Sequence, residues 1–299
     1  MNKLDELLKL ALDEDIGNGD ITSDLLVNPL QQGIAHVKIN SDGILCGMDV
    51  VKRLVELYNP EIQFSPKKQD GDLLQQGDLI LILHGNLLSL LTIERTLLNF
   101  LQHLSGVATH TSHFVRELEG TKAVLLDTRK TIPGLRSLQK YAVKTGGGSN
   151  HRKGLYDMVL VKDNHIAIAG SLTNAVERVQ AIHDQDPNMT IEVEVDTLDQ
   201  LRELIELLGL STEGSTEGTL VDIIMLDNMS IDELELAVQL VSDFNAEHNA
   251  NIKLEASGCV TLDNIHELGE TGVDFISVGT ALTLNAPALD ISMEIELVN

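Results

Sequence analysis

Apolar residues recur at helical spacing from the start of the chain. Leu4, Leu7, Leu8, Ala11 and Leu12 fall on one face of a segment whose other positions are mostly charged. This predicts an amphipathic helix and not a secretory signal, which needs an uninterrupted apolar stretch. Between residues 67 and 85, short apolar runs are broken by Gly-Asp pairs, which predicts antiparallel strands. Residues 86–106 return to helical spacing, with Gly106 as the expected stop.

From Val107 the rhythm changes. The runs "AVLL" (123–126), "MVLV" (158–161), "IEVEV" (191–195), "DIIML" (222–226), "IKLEA" (252–256) and "FISV" (275–278) are each followed by polar or glycine positions. Thr197 with Gln200, and Ser230 with Glu233, are capping-box pairs that open two of the intervening helices. Repeated strand-then-helix units imply a parallel sheet or barrel with right-handed crossovers, whose strand C-termini share one rim. The predicted class is therefore α/β, with an N-terminal domain over 1–106 and a barrel domain over 107–280. The tail, about 281–299, is a candidate to rejoin the first domain. The tandem repeat "STEGSTEG" (211–218) reads as a solvated loop insertion.

Composition narrows the function. The 299 residues are 43% hydrophobic but only 3% aromatic, with no tryptophan, so the core must be aliphatic. A formal net charge of −25 argues against non-specific nucleic-acid binding. No stretch approaches the roughly 18 uncharged apolar residues of a membrane span. Cys46 and Cys259 stand in no staple or zinc spacing, so both are read as reduced and the protein as cytoplasmic.

One window breaks the acidic pattern. Arg129, Lys130, Arg136, Lys140, Lys144, Arg152, Lys153 and Lys162 share it with a single acid, Asp157. Lys140 and Lys144, spaced i and i+4, read as a solvated helix face. Arg129, Lys130, Arg152 and Lys162 each follow a strand or a glycine run, so they can face one rim and hold a multiply charged anion. The run Gly146-Gly147-Gly148 before His151-Arg152 permits a positive φ or a close backbone approach, whether to a ligand or as a flexible loop. Glu192 and Glu194 share one strand face and Asp227 ends another, a set suited to magnesium, to sugar hydroxyls or to an ion-pair network. Ser257-Gly258 and Gly279 come after late strands, where main-chain N–H groups bind phosphate or simply turn the chain.

Taken in order, "EDIGNGDITSDLL", "ERTLLNFLQHLSGVAT", "DTRKTIPGLRSLQKYAVKTGGGSNHRKGLYDMVLVKDNH", "EVEVDTL", "IMLDNMS", "EASGCV" and "SVGTALT" resemble the quinolinate phosphoribosyltransferase family. The resemblance implies an N-terminal α/β sandwich and a C-terminal open α/β barrel. It implies transfer from phosphoribosyl pyrophosphate to quinolinate with magnesium, giving nicotinate mononucleotide, pyrophosphate and carbon dioxide. It further implies a homodimer or higher oligomer with sites shared between subunits. Carried over, Arg95 would reach a neighbouring subunit's quinolinate, while Arg129, His151 and Arg152 would hold its carboxylates. Lys130 and Lys162 would line the reacting centre, and Glu194 and Asp227 would serve the ribose and the metal. Ser257, Gly258 and Gly279 would cradle the 5′-phosphate, although Cys259 stands where the family often has a second glycine. Three rivals remain from the residues: a related transferase with another acceptor, an aldolase using Lys130 or Lys162 as a Schiff base, and a non-catalytic anion binder.

Overall fold

The computed structural model describes residues 3–183, 185–212 and 219–298. The chain separates into two compact units. One comprises Met1–Ser112, Ile132–Gly147 and Asn285–Asn299, and the other His113–Thr131 and Gly148–Leu284.

The chain opens with α1 (Lys3–Ile16), α2 (Ile21–Leu26), β1 (Gln32–Ile39), β2 (Gly43–Ile44) and α3 (Met48–Tyr58). It continues through β3 (Gln63–Pro66), β4 (Leu73–Leu74), β5 (Leu79–Asn86) and α4 (Leu87–Glu117). After β6 (Val124–Leu126) comes α5 (Arg136–Thr145), then β7 (Val159–Val161), α6 (Asp163–Ala169) and α7 (Leu172–His183). Next are β8 (Ile191–Val195), α8 (Leu198–Thr212), β9 (Ile223–Asp227), α9 (Ile231–His248) and β10 (Lys253–Ser257). The chain ends with α10 (Ile265–Glu270), β11 (Phe275–Ser277), α11 (Thr280–Thr283) and β12 (Ile291–Leu297).

In the first unit, a four-stranded antiparallel sheet runs in the order β12-β1-β5-β3. Strand β1 buries Gly33, Ala35, Val37 and Ile39 and leaves the alternate residues more exposed, the period-two pattern of a sheet covered more fully on one face. The tail strand β12 lies beside β1, so the C-terminus belongs to this sheet. The strands expected between 67 and 85 do form, but they do not pair with each other: β4 joins β2, while β5 joins β1 and β3. Arg53 ties α3 to α1 through Asp5, at 2.9 Å.

Gly106 does not stop its helix. α4 runs through it for 31 residues. A methyl group at Gly106 would collide with the main chain of Pro287, and the Leu289 N–H donates to the Gln102 carbonyl at 2.9 Å. The glycine is thus there for close packing of the returning tail and not for termination. The compact units divide at Ser112, and residues 132–147 belong to the first unit.

The second unit is a six-stranded parallel sheet ordered β6-β11-β10-β9-β8-β7. Its terminal strands β6 and β7 do not pair with each other among the described residues, so the barrel is open. β8 is buried at every position, as expected for a strand covered on both faces. Ser230 and Glu233 form a full capping box, with Ser230 N–H donating to Glu233 at 2.8 Å. Gln200 instead accepts from Asp196 N–H at 2.7 Å, while its own N–H donates to Thr197 at 3.2 Å. The insertion expected at 211–218 lies outside the described residues, except that α8 extends to Thr212.

Gly106→Ala is expected to destabilise the protein by about 1–3 kcal/mol through overpacking. This would appear as a lower urea midpoint at unchanged slope; an unchanged midpoint would mean the tail shifts without cost.

Candidate active site

All six barrel strands point the same way, so their C-terminal ends meet at one rim. There they enclose a cavity of about 290 Å³. Arg129 and Lys130 reach it from the loop after β6, Arg152 from the segment before β7, and Lys162 from the end of β7. His151, Glu194 of β8, Asp227 at the end of β9 and Ser257 at the end of β10 complete the sequence-predicted lining. Register places Asp227 directly opposite Ser257.

Only part of the cationic window lines the cavity. Four of the eight cations line the cavity. Arg136, Lys140 and Lys144 lie on α5, in the other unit. Lys140 is not on a solvated face: it is 3% exposed, on the side of α5 that also buries Gln139, Ala142 and Val143. Arg95 lies exposed on α4, also in the first unit, and is not among the residues that line the barrel cavity.

The glycine run is structural. Gly146 is buried against the Ala108 carbonyl of α4, where a methyl group would collide, and Gly147 takes φ +94°. Ser149 then lies beside β6: its N–H donates to the Leu125 carbonyl at 2.8 Å and its carbonyl accepts from Asp127 N–H at 3.1 Å. This delivers His151 and Arg152 to the rim.

Asp127, fully buried at the end of β6, anchors that delivery. It accepts from Asn150 Nδ2 at 2.7 Å and from His151 N–H at 2.9 Å. One carboxylate therefore holds the 149–152 segment beside the loop that carries Arg129 and Lys130. Asp127 is absent from the residues that the sequence singled out, although its place just ahead of the cationic loop was a signal.

Two other glycines have steric roles. A methyl at Gly258, whose φ is +103°, would strike Asn228, whose N–H donates to the Ser257 carbonyl at 2.8 Å. A methyl at Gly279 would press on the Lys130 side chain. The main chain of Lys130 is fixed by Thr283, which donates to its carbonyl at 2.6 Å. Cys259 adopts φ +49°, so the turn keeps its left-handed backbone without the second glycine.

The electrostatics favour a dianion. Burial lowers the proton affinity of Arg152, and the charge of Arg129 adds to the effect. Guanidiniums stay charged regardless, so an anion between them would relieve their repulsion. Across the cavity, Lys162 Nζ donates to Glu194 Oε2 at 2.5 Å. Glu194, Asp196 and Asp227 bring carboxylate oxygens within 4.8 Å of one another, a hard donor set that fits magnesium. Burial raises the Asp196 pKa, with Asp227 and Asp163 adding to it, as expected for an acid among acids. Asp196 was not anticipated from sequence.

Comparison with known proteins decides the kinship. The model of the quinolinate phosphoribosyl transferase N-terminal domain matches residues 20–105, and that of the C-terminal domain matches 107–294. This chain belongs to the quinolinate phosphoribosyltransferase family. It is 41% identical to the probable nicotinate-nucleotide pyrophosphorylase [carboxylating] of Bacillus subtilis, over 99% of this chain and 95% of the relative. Among solved structures, NadC from Streptococcus pyogenes superposes with a TM-score of 0.88 at 36% identity, covering 99% of this chain and 98% of that one. The nicotinate-nucleotide pyrophosphorylase of Francisella tularensis gives 0.87 at 38% identity, covering 98% and 96%. The two family domain models meet near residue 106, whereas the compact units divide at Ser112 because α4 is continuous.

Asp127→Ala in this family member would leave the Asn150 and His151 N–H groups without their acceptor. The expected cost is about 1–3 kcal/mol of stability, together with weaker binding of a dicarboxylate by calorimetry. Unchanged dicarboxylate affinity would mean that the 149–152 segment holds its place without the anchor.

Proposed function

We propose that this chain transfers the phosphoribosyl group of phosphoribosyl pyrophosphate to the ring nitrogen of quinolinate and releases carbon dioxide. The products are nicotinate mononucleotide and pyrophosphate, in NAD biosynthesis. The observation that carries this reading is one cavity with Arg129, Lys130, Arg152 and Lys162 against Glu194 and Asp227. An aldolase has no use for paired arginines, and a passive anion binder has no use for the opposing acids.

In this reading Arg129 and Arg152 receive the two quinolinate carboxylates, with His151 supporting them. Lys130 and Lys162 lie where ring, ribose and leaving group meet. The carbon–nitrogen bond forms as the bond from the anomeric carbon to pyrophosphate breaks, and positive charge builds on the ribose. Glu194 and Asp227 face that charge and hold the ribose hydroxyls. Glu194 and Asp227, with Asp196, would hold magnesium, which would neutralise charge on the leaving pyrophosphate. The ring–carboxylate bond then breaks, its electron pair stays on the ring carbon, and the cationic pyridinium stabilises it until a proton adds. Ser257, Gly258 and Gly279 support the 5′-phosphate through main-chain N–H groups.

The active form is proposed to be a homo-oligomer in which Arg95 serves a neighbour's cavity. Two observations support this: Arg95 is exposed and is not among the residues that line the cavity, and Ile21, Leu25, Leu26 and Leu30 expose 77–86% of their surface. The reaction is assigned to the cytoplasm, in keeping with two free cysteines and no helix long and apolar enough to cross a membrane among the described residues.

The deciding experiment is incubation of the pure protein with quinolinate, phosphoribosyl pyrophosphate and magnesium. Nicotinate mononucleotide and carbon dioxide should appear in equal amounts and only with all three; equal turnover of nicotinic acid would overturn the quinolinate assignment. Arg152→Ala should raise the quinolinate KM by about 30- to 150-fold, the loss of a charged hydrogen bond worth roughly 2–3 kcal/mol, with little change in melting temperature. Mixing inactive Arg95→Ala and Lys130→Ala subunits should restore part of the activity. No restoration would place Arg95 outside the neighbour's site.

A further inference from the structure

Beneath the arginines, the barrel interior holds two acids to which the proposed reaction gives no task. Glu192 of β8 and Glu255 of β10 are both fully buried. They flank β9, opposite Ile223 and Met225. His151 Nε2 lies 2.9 Å from Glu192 Oε2 and 3.4 Å from Glu255 Oε2. Beyond that ring, the four carboxylate oxygens meet no hydrogen-bond donor among the described residues. Desolvating two carboxylates against one imidazole is a poor route to stability. Their presence calls for another reason.

The far side of the ring supplies it. Nδ1 accepts the main-chain N–H of Arg152 at 2.7 Å, so the ring hydrogen belongs on Nε2, toward the acids. Burial disfavours charge on this ring; Glu192 and Glu255 outweigh it and raise the ring's affinity for a second proton, while the Arg152 N–H at Nδ1 occupies the nitrogen that this proton would need. The His151 main chain is already fixed by Asp127. With the backbone anchored on one side and the ring clamped on the other, the next residue has little freedom. That residue is Arg152, which faces the cavity.

We propose that Glu192 and Glu255 are positioning residues that lock the His151 ring, which through Nδ1 sets the Arg152 main chain and aims its guanidinium at a ring carboxylate of the bound substrate. His151 then acts through Arg152. The proposal rests on the phosphoribosyl-transfer reading only in naming quinolinate as the dicarboxylate. It explains why one strand carries two acids two residues apart: Glu194 pairs with Lys162, while Glu192 serves the histidine.

Glu192→Gln and Glu255→Gln keep the shape and remove the charge. Each should raise the quinolinate KM by about tenfold or more while the phosphoribosyl pyrophosphate KM stays within about twofold. The melting temperature should hold or rise, since removing a buried charge relieves desolvation. Nitrogen-15 NMR of the wild-type imidazole should show His151 protonated at Nε2 with Nδ1 as acceptor, and either variant should lose that signature. An unchanged quinolinate KM in both variants would overturn the proposal, as would both KM values rising together with a falling melting temperature. Should neither variant fold, the wild-type spectrum still decides, because a proton on Nδ1 overturns it. A transition metal retained by the wild type and lost in Glu255→Gln would also overturn it, in favour of a cation held by the same three side chains. Absence of any turnover in the wild type would fault the reaction assignment instead, with the NMR result still readable.

Discussion

Four cations cannot share a cleft of about 290 Å³ unless negative charge lies close by, and this barrel buries that charge beneath them. Asp127, Glu192 and Glu255 are each fully buried under the rim. They differ from surface acids in having no water to answer to, so they act at short range on the groups above. Asp127 works on the backbone of the 149–152 segment, and the two glutamates work on the His151 ring. A strongly acidic chain thereby presents a positive cavity to an anionic substrate.

Division of labour along β8 arises from strand geometry. Side chains two residues apart point to one face, so Glu192 and Glu194 both enter the barrel interior but at different depths along it. The deeper one, fully buried, meets His151, and the one nearer the rim meets Lys162. One strand thus supplies a fully buried carboxylate to a histidine and a carboxylate at the cavity to a lysine. The glycines show the same economy of space. Gly106 and Gly146 bring main chains together within the first unit, Gly258 admits Asn228, and Gly279 makes room for Lys130. None of these needs to touch a ligand to be necessary.

Much of the architecture was legible in the order of the residues. The six barrel strands fall within one or two residues of the apolar runs that predicted them. The Ser230 and Glu233 pair forms the expected capping box. These features are local: they depend on spacing that any window of the chain displays. Arg129, Lys130 and Lys162, placed just after strands, also come out at the rim, because parallel strands all exit the sheet at the same end.

The features that stayed hidden were those that depend on a distant partner. Gly106 looked like a helix stop because nothing near it in sequence reveals Pro287 against it. Lys140 looked solvated because its i, i+4 spacing to Lys144 says nothing about which side of α5 is covered. Glu255 went unremarked inside an apolar run, although a charge in the middle of a buried strand is itself a signal. By itself the sequence determined the six barrel strands, their parallel arrangement and the family, since spacing and side-chain chemistry suffice for these. Only the tertiary structure decided which acids lie beneath the four cations of the cavity, because charges act through distance in space and not along the chain.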